Sequence, residues 1–170
     1  PEGLWEINNT RYQQDTGDGV YRRSLYVLVK RSVPNPTLAT FDATSRSYCV
    51  ARRQNTHTQL QALVMMNDPT LVEAAVALSE QISNEADQKN AIVEMYRRTT
   101  SRSPSDEELN LLEQLRQKEL SKFRTNPRNA RGWLKAGQYE VTKSPDPATV
   151  AANAVVASVI LNSDATITKR

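Results

Sequence analysis

The sequence predicts an all-α protein, an irregular bundle of about six helices with a long irregular N-terminal part and a long arginine-rich loop. Capping residues mark several helix starts, apolar residues recur at helical spacing, and no segment offers a convincing pair of strands. A chain of 170 residues is long enough to bury one core. We therefore expect a single helical domain, or the C-terminal part of one, over residues 1–170, with an irregular arm (1–20), a basic motif region (21–67) and a helical bundle (68–170).

The N-terminal third shows little regular spacing. Trp5 and the turn-prone run Thr16–Gly19 predict an irregular arm that docks through the Trp5 side chain. Over residues 21–32, apolar side chains recur at i, i+4, i+7 and i+8, which predicts a helix that stops before Pro34. A proline disfavours helical backbone in the residue before it, so an extended connection and a long loop are expected from there to about Thr56.

Helix starts in the remainder of the chain are clearly marked. Three Asx-Pro pairs put an N-cap before a proline whose missing N–H costs nothing at the first helical position: Asp68-Pro69, Asn126-Pro127 and Asp146-Pro147. Ser105 and Glu108 have the spacing of a capping box, and Thr58 suits an N-cap for a helix over 59–67. Residues 150–161 are apolar around most of a helix; their β-branched side chains leave a strand as the alternative, but the Asp-Pro cap favours a central helix.

Charge and composition exclude several classes of protein. The 22 Lys and Arg against 19 Asp and Glu give a net charge of +3, which divides into +3, −5 and +5 over residues 1–67, 68–119 and 120–170. This layout favours an acidic middle packed between basic flanks over a polyanion partner. No stacking platform or helix-turn-helix pattern occurs, so nucleic acid is disfavoured, and no apolar run is long enough for a membrane span.

Few residues suit catalysis or metal binding. One cysteine, Cys49, and one histidine, His57, exclude an internal disulfide, a Cys/His zinc site and an attached haem within this chain. Phosphate-loop, zincin and nucleophile-elbow motifs are absent from the sequence. His57 could serve as a general base, but a structural role is favoured; Cys49 could be a reactive thiol, but we predict that it is buried. We expect no catalytic residue, no metal ligand and no cofactor in this chain.

The densest polar cluster runs from Arg52 to Thr58 and leads into an apolar helix. Arginines beside a helix N-terminus can hold a carboxylate, sulfate or phosphate. The favoured alternative is structural, with the arginines paired to carboxylates and with Asn55 and Thr56 satisfying the loop backbone. In an enzymatic version, Asp42 or Asp68 would act as acid or base. The candidate binding residues, for an anion or a partner, are Arg22, Arg23, Asp42, Arg52, Arg53, Asn55, Thr56, His57 and Asp68.

Several segments also carry a family resemblance: Tyr21–Tyr26, Lys30–Pro34, Phe41–Ala43, Arg52–Thr56, Gln61–Pro69, Arg102–Leu109 and Ala157–Asp164. Together they resemble the planctomycete-type PSD domain of unknown function, DUF1553. Gln59 departs from that pattern, which has a proline after the threonine, and this makes the helix start there less strongly marked. The resemblance covers nearly the whole chain, which looks like the C-terminal two thirds of the family's domain.

The resemblance implies a large exported multidomain bacterial protein in the periplasm or cell envelope. In such proteins this domain often follows a c-type cytochrome domain, so haem would belong elsewhere in the parent protein. We expect a noncatalytic helical interaction module that packs against other domains of the same polypeptide through its basic first third. The alternative is an anion- or polysaccharide-binding or hydrolytic site on the arginine-rich loop, with an anionic glycan as ligand. A third hypothesis is electron-transfer docking of a haem domain on the basic surface.

Overall fold

The computed structural model describes residues 13, 15–27, 29–82, 87–142 and 146–168, so the predicted docking of Trp5 lies outside the described residues. Over these ranges the chain forms helices and no strand, which confirms the all-α class. The α-helices are α1 (Pro36–Thr40), α2 (Gln59–Asn67), α3 (Pro69–Ile82), α4 (Gln88–Thr100), α5 (Asp106–Thr125), α6 (Pro127–Leu134), α7 (Pro147–Leu161) and α8 (Asp164–Ile167). Short 3-10 turns occupy Gly17–Gly19 and Ser24–Tyr26.

The chain divides into two compact units, Pro1–Gln61 and Ala62–Arg170. In the first unit, the helix predicted over residues 21–32 is wrong, because the described residues there form only the turn Ser24–Tyr26. Leu25 and Tyr26 are 70% and 66% exposed, so these apolar side chains do not pack against a surface that could hold a helix in place. A helix this short is unstable in water without such packing.

The loop predicted after Pro34 contains one short helix, α1, that the sequence reading missed. The Asn35 side chain caps this helix, because its Oδ1 accepts hydrogen bonds from the N–H groups of Thr37 (3.0 Å) and Leu38 (3.2 Å). Pro36 stands at the first helical position. Asn35-Pro36 is therefore the same start signal that marks three longer helices downstream.

Predicted helix starts in the second unit are confirmed. Asp68 accepts from the N–H of Thr70 (2.9 Å), and Asp146 accepts from the N–H of Ala148 (3.1 Å). The Ser105 capping box is complete, with both reciprocal bonds to Glu108 present. Asn126 precedes α6 as predicted, although its side chain makes no capping bond.

Helix α7 runs through the centre of the second unit, as predicted, and packs against α3, α4, α5 and α6. Its small side chains allow close helix approach, since Ala151, Ala152, Ala154 and Ala157 are all 0% exposed. Residues of α7 belong to two core clusters. In the first cluster, Val156, Ala157 and Ile160 of α7 pack with Ile92, Met95 and Leu112. In the second cluster, Ala151 and Ala152 of α7 pack with Phe123 and Ala130. In the described part of the chain, no helix is both long and apolar enough to span a membrane.

The turn between α4 and α5 is closed by a group centred on Glu108. Arg102 donates two hydrogen bonds to the Glu108 carboxylate (2.9 and 2.7 Å), and its guanidinium lies 4.8 Å from the centre of the Tyr96 ring. The Tyr96 hydroxyl and the Ser105 N–H each donate to Glu108 at 2.8 Å. Arg102 above all, then the Ser105 N–H, lowers the pKa of Glu108 from 4.5 to about 2. Arg102, Ser105 and Glu108 all belong to the segment Arg102–Leu109 that resembles the family.

We expect Glu108→Gln to reduce the acid sensitivity of the second unit. A carboxylate with a lowered pKa adds stability above about pH 4.5, and this contribution is lost as the pH falls toward 2. Because the Glu108 side chain is 36% exposed, solvent screening should limit its contribution to about 1 kcal/mol. Urea unfolding at pH 7 and pH 3 measures this contribution. The difference in the free energy of unfolding between the two pH values should be smaller for Glu108→Gln than for the unmodified chain. An equal difference in both proteins would contradict the lowered pKa of Glu108.

Candidate functional site

The arginine-rich loop of the first unit is organised around the Asp42 carboxylate. Asp42 accepts hydrogen bonds from the Thr56 N–H (2.8 Å) and from the Thr56 hydroxyl (2.8 Å). Asp42 also has a positive φ of 57°, so the chain reverses sharply where α1 ends. These contacts tie the end of α1 to the residues that precede α2.

Arg53 strengthens this turn in a way that the sequence did not predict. Its Nε donates to the carbonyl oxygen of Asp42 (2.8 Å), and its Nη2 donates to the carbonyl oxygen of Phe41. We expected the arginines to pair with carboxylates, but Arg53 instead caps backbone carbonyls at the end of α1. This contact supports a structural role for Arg53.

Gln61 completes the network and was not among the predicted site residues. Its side chain donates to the Thr40 carbonyl (2.9 Å) and to the Thr56 hydroxyl (3.1 Å). It also accepts from the Thr58 N–H (3.0 Å), while the Thr58 hydroxyl accepts from the Gln61 N–H (3.2 Å). This reciprocal pair is a capping box, so Thr58 is the N-cap we predicted, and the spacing Thr-x-x-Gln is the signal that could have identified Gln61.

The protonation of Asp42 follows from these bonds. Hydrogen bonds from the Thr56 N–H and hydroxyl lower its pKa, with a smaller contribution from Gln61. Such a carboxylate stays ionised at neutral pH and is a poor general acid. The geometry therefore favours a structural Asp42 over a catalytic one.

The other candidate residues are not part of this network. Arg22, Arg23, Arg52, Asn55 and His57 are exposed on the first unit. In the second unit, Asp68 caps α3. Of the nine predicted binding residues, the network thus contains Asp42, Arg53 and Thr56, and binding of an anion by the set stays a prediction.

Our prediction that Cys49 is buried is wrong, because the thiol is exposed. Residues 44–60 are all exposed, so this irregular segment offers Cys49 no apolar surroundings. Among the described residues, no cluster of three His, Cys, Asp or Glu side chains that could hold a metal occurs.

The described part of the first unit has a second distinctive property: it contains no buried apolar side chain. Gln61 is its one buried residue in the described ranges, and every buried apolar side chain of the described chain lies between Val72 and Ile160. Seven of its large apolar side chains are exposed: Tyr21 54%, Leu25 70%, Tyr26 66%, Val27 38%, Tyr48 74%, Val50 42% and Leu60 56%. Others are half-buried: Val20, Val29, Val33, Leu38 and Phe41. Hydrogen bonds, more than apolar burial, therefore organise what is described of this unit.

The first unit has eight bases and five acids, a net charge of 8 − 5 = +3, and its positive charge is concentrated in residues 21–61, where most of the exposed apolar side chains also lie. Residues 21–61 contain seven bases and one acid, Asp42, for a net charge of 7 − 1 = +6. All of these bases except the half-buried Lys30 are exposed. A surface that combines exposed aromatic and aliphatic groups with arginines has the composition of a protein–protein contact.

Comparison with known proteins identifies a family. A family model described as a protein of unknown function, DUF1553, matches residues 4–116, from the first unit through the first half of α5. No curated protein and no solved structure matches the chain.

Proposed function

The chain belongs to the DUF1553 family of proteins of unknown function, and on that premise we propose that it is a noncatalytic docking module. Its first unit binds an acidic, partly apolar surface on another domain of the same parent polypeptide. The observation that carries this proposal is the absence of a buried apolar side chain from the described part of the first unit. The exposed apolar side chains of the described part of the unit become buried when that domain covers them.

Apolar burial is the first contribution to this docking. Tyr21, Leu25, Tyr26 and Tyr48 are each more than half exposed. Full burial of one such side chain contributes roughly 1.5–3 kcal/mol. Aromatic side chains and arginines are also the residues that dominate contact energies between proteins.

Charge supplies the second contribution and selects the partner. A net charge of +6 over residues 21–61 attracts a negative surface and repels a basic one, which sets orientation and association rate more than affinity. Arg53 already binds backbone carbonyls, whereas Arg22, Arg23 and Arg52 remain exposed for an acidic partner. The proposal requires no reaction and no cofactor in this chain.

The cellular setting is part of the same proposal. The resemblance described above supports an exported multidomain protein of the periplasm or cell envelope, with a haem-bearing domain as one candidate partner. Because mobile ions screen exposed charges, we expect salt to weaken the docking contact with an acidic partner domain.

Docking is tested by Leu25→Glu in the natural polypeptide that contains this chain. A new carboxylate would have to be buried in the contact, so we expect the contact to open and trypsin to cut after Arg22 and Arg23 about tenfold faster. Leu111→Glu is the matched control, because Leu111 is 66% exposed on α5, in the second unit.

Equal cleavage rates for the natural polypeptide, Leu25→Glu and Leu111→Glu would contradict the proposal. Rapid cleavage after Arg22 and Arg23 before any substitution would do the same, since it would show that the surface is not covered.

A further inference from the structure

A cleft of about 820 Å³ lies in the second unit between the C-terminal end of α6, the segment that follows it and the start of α7. Its volume falls in the range typical of small-molecule sites. Its lining includes Arg131, Leu134, Lys135, Tyr139, Val141 and Pro147. All of them lie outside the family-matched residues 4–116.

Two buried carboxylates of α3 hold one wall of this cleft in place. Glu80 is 2% exposed; it accepts a hydrogen bond from the Thr142 N–H (2.7 Å) and another from the Tyr139 hydroxyl. Glu73, which is 4% exposed, packs directly against Gly137. The segment 137–142 is therefore fixed at both ends on α3. A wall fixed in this way does not have to be ordered when a ligand enters, which favours binding.

Two basic side chains, those of Arg131 and Lys135, line the cleft. Arg131 and Lys135 are four residues apart, at the end of α6, so their side chains emerge on the same side. Both are exposed, and neither forms an ion pair with any residue in the part of the chain that the structure describes. Among the described lining residues Glu140 is the one acid, so these residues carry a net charge of 2 − 1 = +1.

The remaining lining is suited to an apolar body. Leu134, Val141 and Pro147 contribute aliphatic surface, and Tyr139 contributes a ring whose hydroxyl is already bonded to Glu80. A mainly apolar lining with a few charged and polar groups is the usual composition of a site for an amphiphilic ligand.

We propose that this cleft binds an organic acid, a carboxylate head on an aliphatic or aryl body, with the head between Arg131 and Lys135 and the body against Leu134, Val141 and Tyr139. The site lies in the second unit and is independent of the docking role assigned to the first. Either proposal can fail without affecting the other.

Calorimetric titration of the full chain with octanoate, octanol and acetate tests the site. Octanoate should bind saturably, while octanol and acetate should each bind at least about tenfold more weakly, because each lacks one half of the recognised chemistry. No saturable binding of octanoate, or equal affinity for octanoate and octanol, would overturn the proposal. Acetate as strong as octanoate would also overturn it, since the cleft would then recognise charge alone.

Variants at exposed positions locate the site. The double variant Arg131→Gln, Lys135→Gln should lower octanoate affinity at least about tenfold, with the helical circular dichroism unchanged. Arg128→Gln is the matched control, because Arg128 is exposed on the same helix but lines a different cavity. An unchanged octanoate affinity in the double variant, or the same loss in the control, would place the ligand elsewhere.

Discussion

Gly137→Ala is expected to lower the free energy of unfolding of the second unit by about 2–4 kcal/mol. Gly137 has a φ of +79°, where a side chain is strained, and a Cβ there would lie 2.6 Å from Cδ and 2.8 Å from Cβ of Glu73. Because Glu73 is buried, its side chain cannot swing away without leaving its place on α3. Relief of the clash must therefore move the segment 137–142 or expose Glu73.

Gly132→Ala is the matched control in the same part of the chain. Gly132 lies within α6, and a Cβ there would meet no atom within 4 Å. Alanine in a helix interior is better than glycine by up to about 1 kcal/mol, so this variant should be more stable. Urea unfolding of the two variants should give shifts of opposite sign. A Gly137→Ala protein as stable as the unmodified chain would contradict the position of Glu73.

Glu80→Ala is expected to cost about 2–4 kcal/mol of unfolding free energy. The change removes the acceptor for the Thr142 N–H and the Tyr139 hydroxyl and leaves a space where a buried side chain stood. Glu107→Ala is the control at an exposed position of α5 and should change stability by no more than about 0.5 kcal/mol. Equal denaturation midpoints for the two variants would show that Glu80 does not hold the segment.

Alkaline titration gives an independent readout of the same contact. The hydrogen bond to Glu80, followed by burial, raises the pKa of Tyr139 from 10.0 to about 12. A raised pKa means that the contribution to stability is present below pH 10 and is lost as the pH rises toward 12. Tyr139→Phe should remove this loss of stability at high pH. In an alkaline titration followed by phenolate absorbance, the variant should show one tyrosine fewer than the unmodified chain among those that ionise near pH 12. Without such a late-titrating tyrosine in the unmodified chain, the contact would be refuted.

Helix starts could be predicted from sequence because a cap acts on residues only two or three positions away. Asp68, Ser105 and Asp146 cap helices as predicted, and the same rule applied to Asn35 would have identified α1. Spacing alone failed over residues 21–32, because it shows which side chains share a face and not what covers that face. The exposed Leu25 and Tyr26 show the difference.

Contacts between distant residues could not be predicted. Glu80 meets the Thr142 N–H and the Tyr139 hydroxyl, which follow it by 62 and 59 residues, and nothing in the local sequence marks that pairing. The candidate site was predicted in part: Asp42 and Thr56 were named, but Gln61, which bonds both, was not. Cys49 was expected to be buried from its residue type, but its irregular segment provides no core.

We propose that another domain of the parent polypeptide covers the first unit. Site-specific photo-crosslinking tests it most directly, with a benzophenone amino acid in place of Leu25 in the natural polypeptide and, separately, in place of Leu111. Docking predicts intramolecular cross-links from position 25 to an acidic segment outside residues 1–170, fewer of them at high salt, and none of these from position 111. Docking to another domain would be contradicted if position 25 gave no cross-links, gave cross-links only within residues 1–170, or cross-linked two copies of the protein.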